Sequence, residues 1–314
     1  MQLFIWLSVL GLSLFFLIKS SDYFTKAAEK IGLSLKIPSF IIGVTIVSVG
    51  TSLPELLTSV FAVLSNNSEI VIGDVIGSNV TNIFLGLGIL PLLIGFFTVN
   101  KNLISVDLPI LLGSTFLLAV TAYDGIFTRV EAIFCLGGFF VYMRYAMKEH
   151  KEYKKRLEEE QVQSPKLNPL HFVILAASCV CLYFSAQYTV KSIVKLAELA
   201  QIETAVITAS AVALGTSLPE IITSAVAAKR GSTEVAVGTL LGSNIFNAFA
   251  IMGVTGLIGN LVIPPIMISY GLPMLILATL LYFFITLDHE ITKFEGALLI
   301  IFYGVFLGKL FSLF

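Results

Sequence analysis

The stretch Gly50-Thr51-Ser52-Leu53-Pro54-Glu55 recurs unchanged as Gly215-Thr216-Ser217-Leu218-Pro219-Glu220. Both copies lie inside long apolar runs, where a lone carboxylate is expensive. A charge at bilayer mid-depth costs at least ~2.5 kcal/mol, so an acid there marks a functional site by default. The proline ahead of each acid is a second signal. It has no N–H and clashes with the carbonyl four residues back, here Gly50 and Gly215. Each helix is therefore expected to break and to free backbone oxygens beside a carboxylate. A dehydrated, negative, oxygen-rich pocket suits a hard cation.

The repeat extends well beyond the hexapeptide. Residues 41–90 align on 206–255 at a constant offset of 165, with 19 of the 50 positions identical. Thr58/Thr223, Ser59/Ser224, Glu69/Glu234, Ser78/Ser243, Asn79/Asn244 and Asn82/Asn247 all pair. Shared apolar composition would match Leu, Ile and Val; the identities fall instead on Gly, Pro and polar residues. An internal repeat in a polytopic membrane protein is a mark of secondary transporters.

Composition agrees. The chain has 314 residues, 57% hydrophobic and 12% charged, with a mean hydropathy of +0.95. Soluble domains carry roughly 25% charged residues. Apolar runs of spanning length occur at 3–18, 37–65, 70–98, 104–122, 128–147, 169–192, 202–228, 233–258, 263–286 and 295–313. The expected fold is all-α, with ten transmembrane helices, five per half. A β-barrel is excluded, because its strands alternate polar and apolar over ~10 residues. No phosphate-binding loop, zinc-protease motif or nucleophile elbow is present, so neither nucleotide nor enzymatic chemistry is expected. Near-zero net charge gives no reason to expect nucleic acid, and no cofactor is implied. Cys135, Cys179 and Cys181 read as buried and inert, and His150, His171 and His289 as interfacial.

Basic residues set the orientation. With the N-terminus outside, 15 Lys and Arg fall on inner segments and 4 on outer ones. The first span has no basic residue ahead of it, the wrong polarity for a cleaved signal. Five spans per half is an odd number, so the halves insert with opposite orientation. The expected organisation is 1–147 as the first half, a cytoplasmic charged linker at 148–168, and 169–314 as the second half. Both termini then lie outside a plasma (inner) membrane, and nothing in the chain calls for more than a monomer in the lipid bilayer. The linker, with its run from Lys148 to Glu160, reads as a solvated helical extension.

Each half supplies one polar kit: Thr51, Ser52, Glu55, Ser78 and Asn82 in the first, Thr216, Ser217, Glu220, Ser243 and Asn247 in the second. Ser78 and Asn82 are four apart on one helical face, so both are expected to meet Glu55. Gly73/Gly77 and Gly238/Gly242 have the spacing that lets helices approach closely. Two bidentate carboxylates give four oxygens and carbonyls near Thr51 and Thr216 two more, within the 6–8 that Ca²⁺ takes. Asn79 and Asn244 point off that face and read as structural. Asp74 has no acidic counterpart, since position 239 is Thr, and is expected near an ion pathway or a water-filled funnel. Asp107, at a span's start, is expected to face the membrane interface.

With these segments, the chain resembles the α-repeats of the cation/Ca²⁺ antiporter superfamily, and within it the Na⁺/Ca²⁺ exchangers. The resemblance implies exchange of Na⁺ for Ca²⁺ by alternating access. It assigns Glu55 and Glu220 to both ions, carbonyls of Thr51 and Thr216 to Ca²⁺, and Ser78, Ser243, Asn82, Asn247 and the carbonyls of Ser48 and Ala213 to Na⁺. Ser52 and Ser217 belong to the same metal-binding set. K⁺-dependent members carry an acid where this chain has Asn247, so K⁺-independence is expected, and three Na⁺ per Ca²⁺ would make exchange electrogenic. H⁺/Ca²⁺ exchange is the alternative, ahead of K⁺-dependent exchange and a cation channel.

Overall fold

A computed structural model describes residues 2–98, 106–160, 165, 167–199 and 215–310 of the chain. Apolar runs fold as helices because only internally paired backbone is tolerated in lipid. In chain order they are α1 (Gln2–Ser34), α2 (Ser39–Leu64), α3 (Glu69–Ile94), α4 (Leu108–Ala122), α5 (Arg129–Glu159), α6 (Leu170–Leu199), α7 (Leu218–Lys229), α8 (Thr233–Ile258), α9 (Met267–Ile285) and α10 (Lys293–Leu310). Among the described residues, seven helices are long and apolar enough to cross a membrane: α1, α2, α3, α5, α6, α8 and α9. The chain is a helical membrane protein.

α1 runs well past its apolar stretch. Ser20, Ser21, Phe24, Thr25, Ala27, Ala28 and Ile31 form a buried stripe at helical spacing, which keeps the polar extension helical. Its outer side carries Asp22, which pairs with Lys26 at 2.6 Å. Arg230, just past α7, reaches Asp22 at 3.5 Å and Glu29 at 3.1 Å. The charged extension after the fifth apolar run is also helical: α5 continues to Glu159, with Lys148–Glu152 and Lys155–Glu159 pairs one turn apart.

α8 is the centre of the molecule, and its whole apolar window is buried. It packs on α2 through glycines. A Cβ added at Gly238 would lie 2.6 Å from the Phe40 carbonyl, and one at Gly242 would lie 2.6 Å from Val44. Reciprocally, a Cβ at Gly43 would lie 2.5 Å from the Val235 carbonyl. α1 and α6 lie side by side at the periphery.

Four two-residue strands close the ends: β1 (Phe97–Thr98), β2 (Ile126–Phe127), β3 (Leu261–Val262) and β4 (Glu290–Ile291). β1 pairs antiparallel with β4, and β2 with β3. A shift of 165 residues carries Phe97 onto Val262 and Ile126 onto Ile291. It therefore maps the Phe97–Ile291 pairing onto the Ile126–Val262 pairing.

Two expectations are corrected. Asp107 does not face an interface: it is buried and accepts a 2.9 Å hydrogen bond from the Tyr142 hydroxyl. Nor does Pro54 break its helix. Ser48–Leu64 is continuous helix with Pro54 inside it. The carbonyl the proline leaves unpaired, that of Gly50, accepts a 3.2 Å hydrogen bond from the Cys179 thiol of α6. In the second copy, Pro219 sits in the first turn of α7, the position where its missing N–H does no harm.

Candidate ion-binding site

Glu55 is 2% exposed and Glu220 is fully buried. The helices carrying them present hydroxyls across the molecule rather than along their own half. Ser52 on α2 donates to Oε1 of Glu220 at 2.9 Å, and its oxygen lies 3.1 Å from the Ser243 hydroxyl of α8. Thr216 and Ser78 bring their hydroxyls within 2.9 Å of each other. Ser217 reaches the Ser78 carbonyl at 3.4 Å. Ser78 and Asn82 do share a helical face, yet among the described hydrogen bonds neither joins Glu55; Ser78 turns to Thr216 and Asn82 to Asn244.

The asparagines form a closed set. Asn79 donates to the Asn244 carbonyl at 3.1 Å, and Asn244 to the Asn79 carbonyl at 3.2 Å. Asn82 donates to Oδ1 of Asn244 at 3.0 Å, and Asn247 to Oδ1 of Asn79 at 3.1 Å. The structural reading of Asn79 and Asn244 matches this geometry. Their amides fix the amides of Asn82 and Asn247, whose oxygens are left over.

Those oxygens define the site. Among the described residues, Oδ1 of Asn82, Oδ1 of Asn247, Oε2 of Glu55 and Oε2 of Glu220 are all buried with no hydrogen-bond partner. A buried acceptor without a partner costs about 1–3 kcal/mol, and a charged one more. Among the described ion pairs, none involves Glu55 or Glu220. The arrangement offers anionic and amide oxygens to a cation, and among the described ion pairs no Lys or Arg neutralises them.

Two local features give access and shape. A cleft of about 480 Å³ opens onto Glu55, lined also by Pro54, Thr58, Asp74, Gln187 and Thr216. π-helical turns occupy Asn82–Leu87 and Asn247–Ile251, each beginning at a site asparagine. Single π turns inside α-helices are rare and frequently sit at functional sites. The sequence carried no π-turn signal beyond the paired asparagines themselves.

Of the remaining expected residues, Thr51 is buried and its hydroxyl donates back to the carbonyls of Val47 and Ser48, at 3.2 and 3.1 Å. Ser48 is buried and its hydroxyl turns to the Val44 carbonyl. Ala213 lies outside the described residues. Asp74 lies where an ion pathway or water-filled funnel is expected. It is 6% exposed and lines the same cleft as Glu55.

Fold and site together define a helical membrane protein with a buried, two-carboxylate oxygen site shared between its halves. The sodium/calcium exchanger protein family matches residues 5–148 and 170–311, and the chain belongs to that family. It is 32% identical to the sodium/calcium exchanger MaX1 of Methanosarcina acetivorans, over 96% of this chain and 97% of that one. It is 29% identical to the inner membrane protein YrbG of Escherichia coli, over 88% and 86%. A solved structure of the sodium-calcium exchanger NCX_Mj soaked with Na⁺ and Ca²⁺ superposes with a TM-score of 0.80 at 30% identity, covering 96% of this chain and 97% of that one.

Proposed function

We propose that this protein exchanges Na⁺ for Ca²⁺ across the membrane at the Glu55–Glu220 site. The observation that carries the reading is the set of four buried, unpartnered oxygens on Glu55, Glu220, Asn82 and Asn247. Buried carboxylate oxygens of this kind need neutralising, by cations in the site or protons on the acids, and the added amide oxygens suit a cation. What the relatives are named for, sodium/calcium exchange, agrees with that chemistry.

Glu55 and Glu220 serve both ions. Thr51 and Thr216 contribute carbonyls to Ca²⁺. Ser48, Ser52, Ser78, Asn82, Ala213, Ser217, Ser243 and Asn247 complete the Na⁺ positions. The two halves insert with opposite orientation, as ten spans in two sets of five. The exchanged strand pairings and the reciprocal Asn79–Asn244 bonds support that reading, since both map onto themselves under the 165-residue shift. Alternating access then exposes one shared site to either side in turn. The basic-residue count supports an inner-membrane protein with the 148–168 linker in the cytoplasm.

Exchange is K⁺-independent, because Asn247 and Asn82 are both neutral. It is electrogenic, because three Na⁺ exceed the charge of one Ca²⁺. ⁴⁵Ca²⁺ uptake into proteoliposomes tests this, driven by an outward Na⁺ gradient at clamped pH. Uptake that follows the Na⁺ gradient and an imposed voltage is expected. Uptake that follows a pH gradient and ignores Na⁺ would establish H⁺/Ca²⁺ exchange instead.

A further inference from the structure

Two glutamates can neutralise two monovalent ions, and the cleft that opens onto Glu55 holds a further acid, Asp74. Asp74 sits on α3, one turn before Ser78, and is 6% exposed. It lines the cleft with Glu55 and Thr216. The Thr216 hydroxyl lies 2.9 Å from that of Ser78, one turn on from Asp74. Its charge is close enough to act on both Glu55 and Glu220. Among the described ion pairs none involves Asp74, and Lys191, which lines the same cleft, is exposed. Oε2 of Glu55, buried and unpartnered, belongs to the same cleft wall.

Among the described residues, no three Asp, Glu, His or Cys side chains converge on one metal-ion position. Asp74 is therefore not a third ligand to the ion held by Glu55 and Glu220. It marks a separate position, with one carboxylate and two hydroxyls, at the edge of the main site. A single carboxylate with neutral oxygens balances a monovalent cation and leaves a divalent one under-compensated.

We infer that Asp74, with Ser78 and Thr216, binds one Na⁺ of the exchange load in the cleft beside Glu55, separate from the position that takes Ca²⁺. This rests on the exchange reading above and adds a residue and a charge to it. With Asp74 the site holds three negative charges, so it can accept three Na⁺ without net charge. The second half has no equivalent, because Thr239 stands at the matching position. The site is thus asymmetric in charge although its hydroxyls and amides are paired.

The test uses Asp74→Asn in the full-length protein in proteoliposomes, with Na⁺-driven ⁴⁵Ca²⁺ flux and ⁴⁵Ca²⁺–Ca²⁺ self-exchange measured side by side. The expected result is a rise of at least five-fold in half-saturating Na⁺, a fall of about one in the Na⁺ Hill coefficient and less charge moved per Ca²⁺. Ca²⁺–Ca²⁺ exchange persists, and Asp74→Glu restores the Na⁺ steepness. If Asp74→Asn does not fold, Asp74→Ser, which leaves room for water, takes its place. Unchanged Na⁺ half-saturation and Hill coefficient would overturn the assignment. So would an equal loss of Na⁺-driven and Ca²⁺–Ca²⁺ exchange, which would mark Asp74 as structural. Failure of the exchange reading itself looks different: the parent protein would then show no Na⁺-driven flux at all.

Discussion

Asn79 and Asn244 each donate a side-chain amide hydrogen bond to the other's backbone carbonyl, at 3.1 and 3.2 Å. Two helices from opposite halves are thereby locked at one register, and the lock is completed by Asn247 on Asn79 and Asn82 on Asn244. Asn79→Ala removes one donor and one acceptor from a fully buried position. Each orphaned partner costs about 1–3 kcal/mol. The variant is expected to melt well below the parent in detergent. Asn244→Ala should add little on top of it, because the pair acts as one unit. Fully additive losses in thermal unfolding would argue against the lock.

Neutralising either glutamate is expected to abolish Na⁺-driven Ca²⁺ flux. Glu55→Gln and Glu220→Gln each remove one charge from a cluster in which Oε2 of each glutamate has no hydrogen-bond partner among the described residues. Both should fold, since a neutral amide is cheaper to bury than a carboxylate. Near-normal flux in either variant, with membrane expression verified, would exclude the site.

Two buried serines should behave differently. Ser52 donates to Glu220 at 2.9 Å, whereas the Ser59 hydroxyl has no partner. A hydrogen bond to a charged group contributes roughly 1.5–3 kcal/mol. Ser52→Ala is therefore expected to raise half-saturating Ca²⁺ about 10-fold, and Ser59→Ala to leave it within about two-fold. Equal effects of the two substitutions on ⁴⁵Ca²⁺ binding would contradict the role of the cross-half hydrogen bond.

Gly242→Ala should be poorly tolerated. The added Cβ would lie 2.6 Å from the backbone of Val44 and 2.7 Å from the Ser48 hydroxyl, and backbone cannot swing aside. Overpacking of this kind costs about 1–3 kcal/mol. Gly137→Ala, with nothing near its Cβ among the described residues, is the matched control. Yield and melting temperature of the two purified variants check the contrast.

Transport should proceed at full rate in K⁺-free buffer, and Asn247→Asp should introduce a K⁺ response. Asn247 offers a buried neutral Oδ1 to the site, and aspartate would replace it with a charge able to hold a further cation. An absolute K⁺ requirement in the parent would refute the K⁺-independent reading.

Much of the molecule was legible before any coordinates. The repeated Thr-Ser-Leu-Pro-Glu segments identified the two acids, because a carboxylate in an apolar run has few other reasons to be there. Apolar runs located most of the described helices to within a few residues; α1 continues along a buried stripe past Lys19, α5 along its charged face to Glu159 and α6 to Leu199, and the first part of the seventh run, 202–214, lies outside the described residues. The Gly238/Gly242 spacing announced a close helix contact, whereas the same spacing at Gly73/Gly77 did not: a Cβ there would meet nothing within 4 Å among the described residues. What one-dimensional spacing could not supply was partner choice across the halves. The neighbours of Ser52 are Glu220 and Ser243, between 168 and 191 residues away, and the depth at which the halves meet decides that. The same holds for the Gly50 carbonyl, which the proline frees but which the Cys179 thiol then takes. Asp74 is expected from the sequence near an ion pathway or a water-filled funnel, and only the packed structure shows that its cleft is the one Glu55 lines. Chemistry of single residues is written along the chain. Which oxygens remain unpaired after all others have found partners is a property of the packed structure alone.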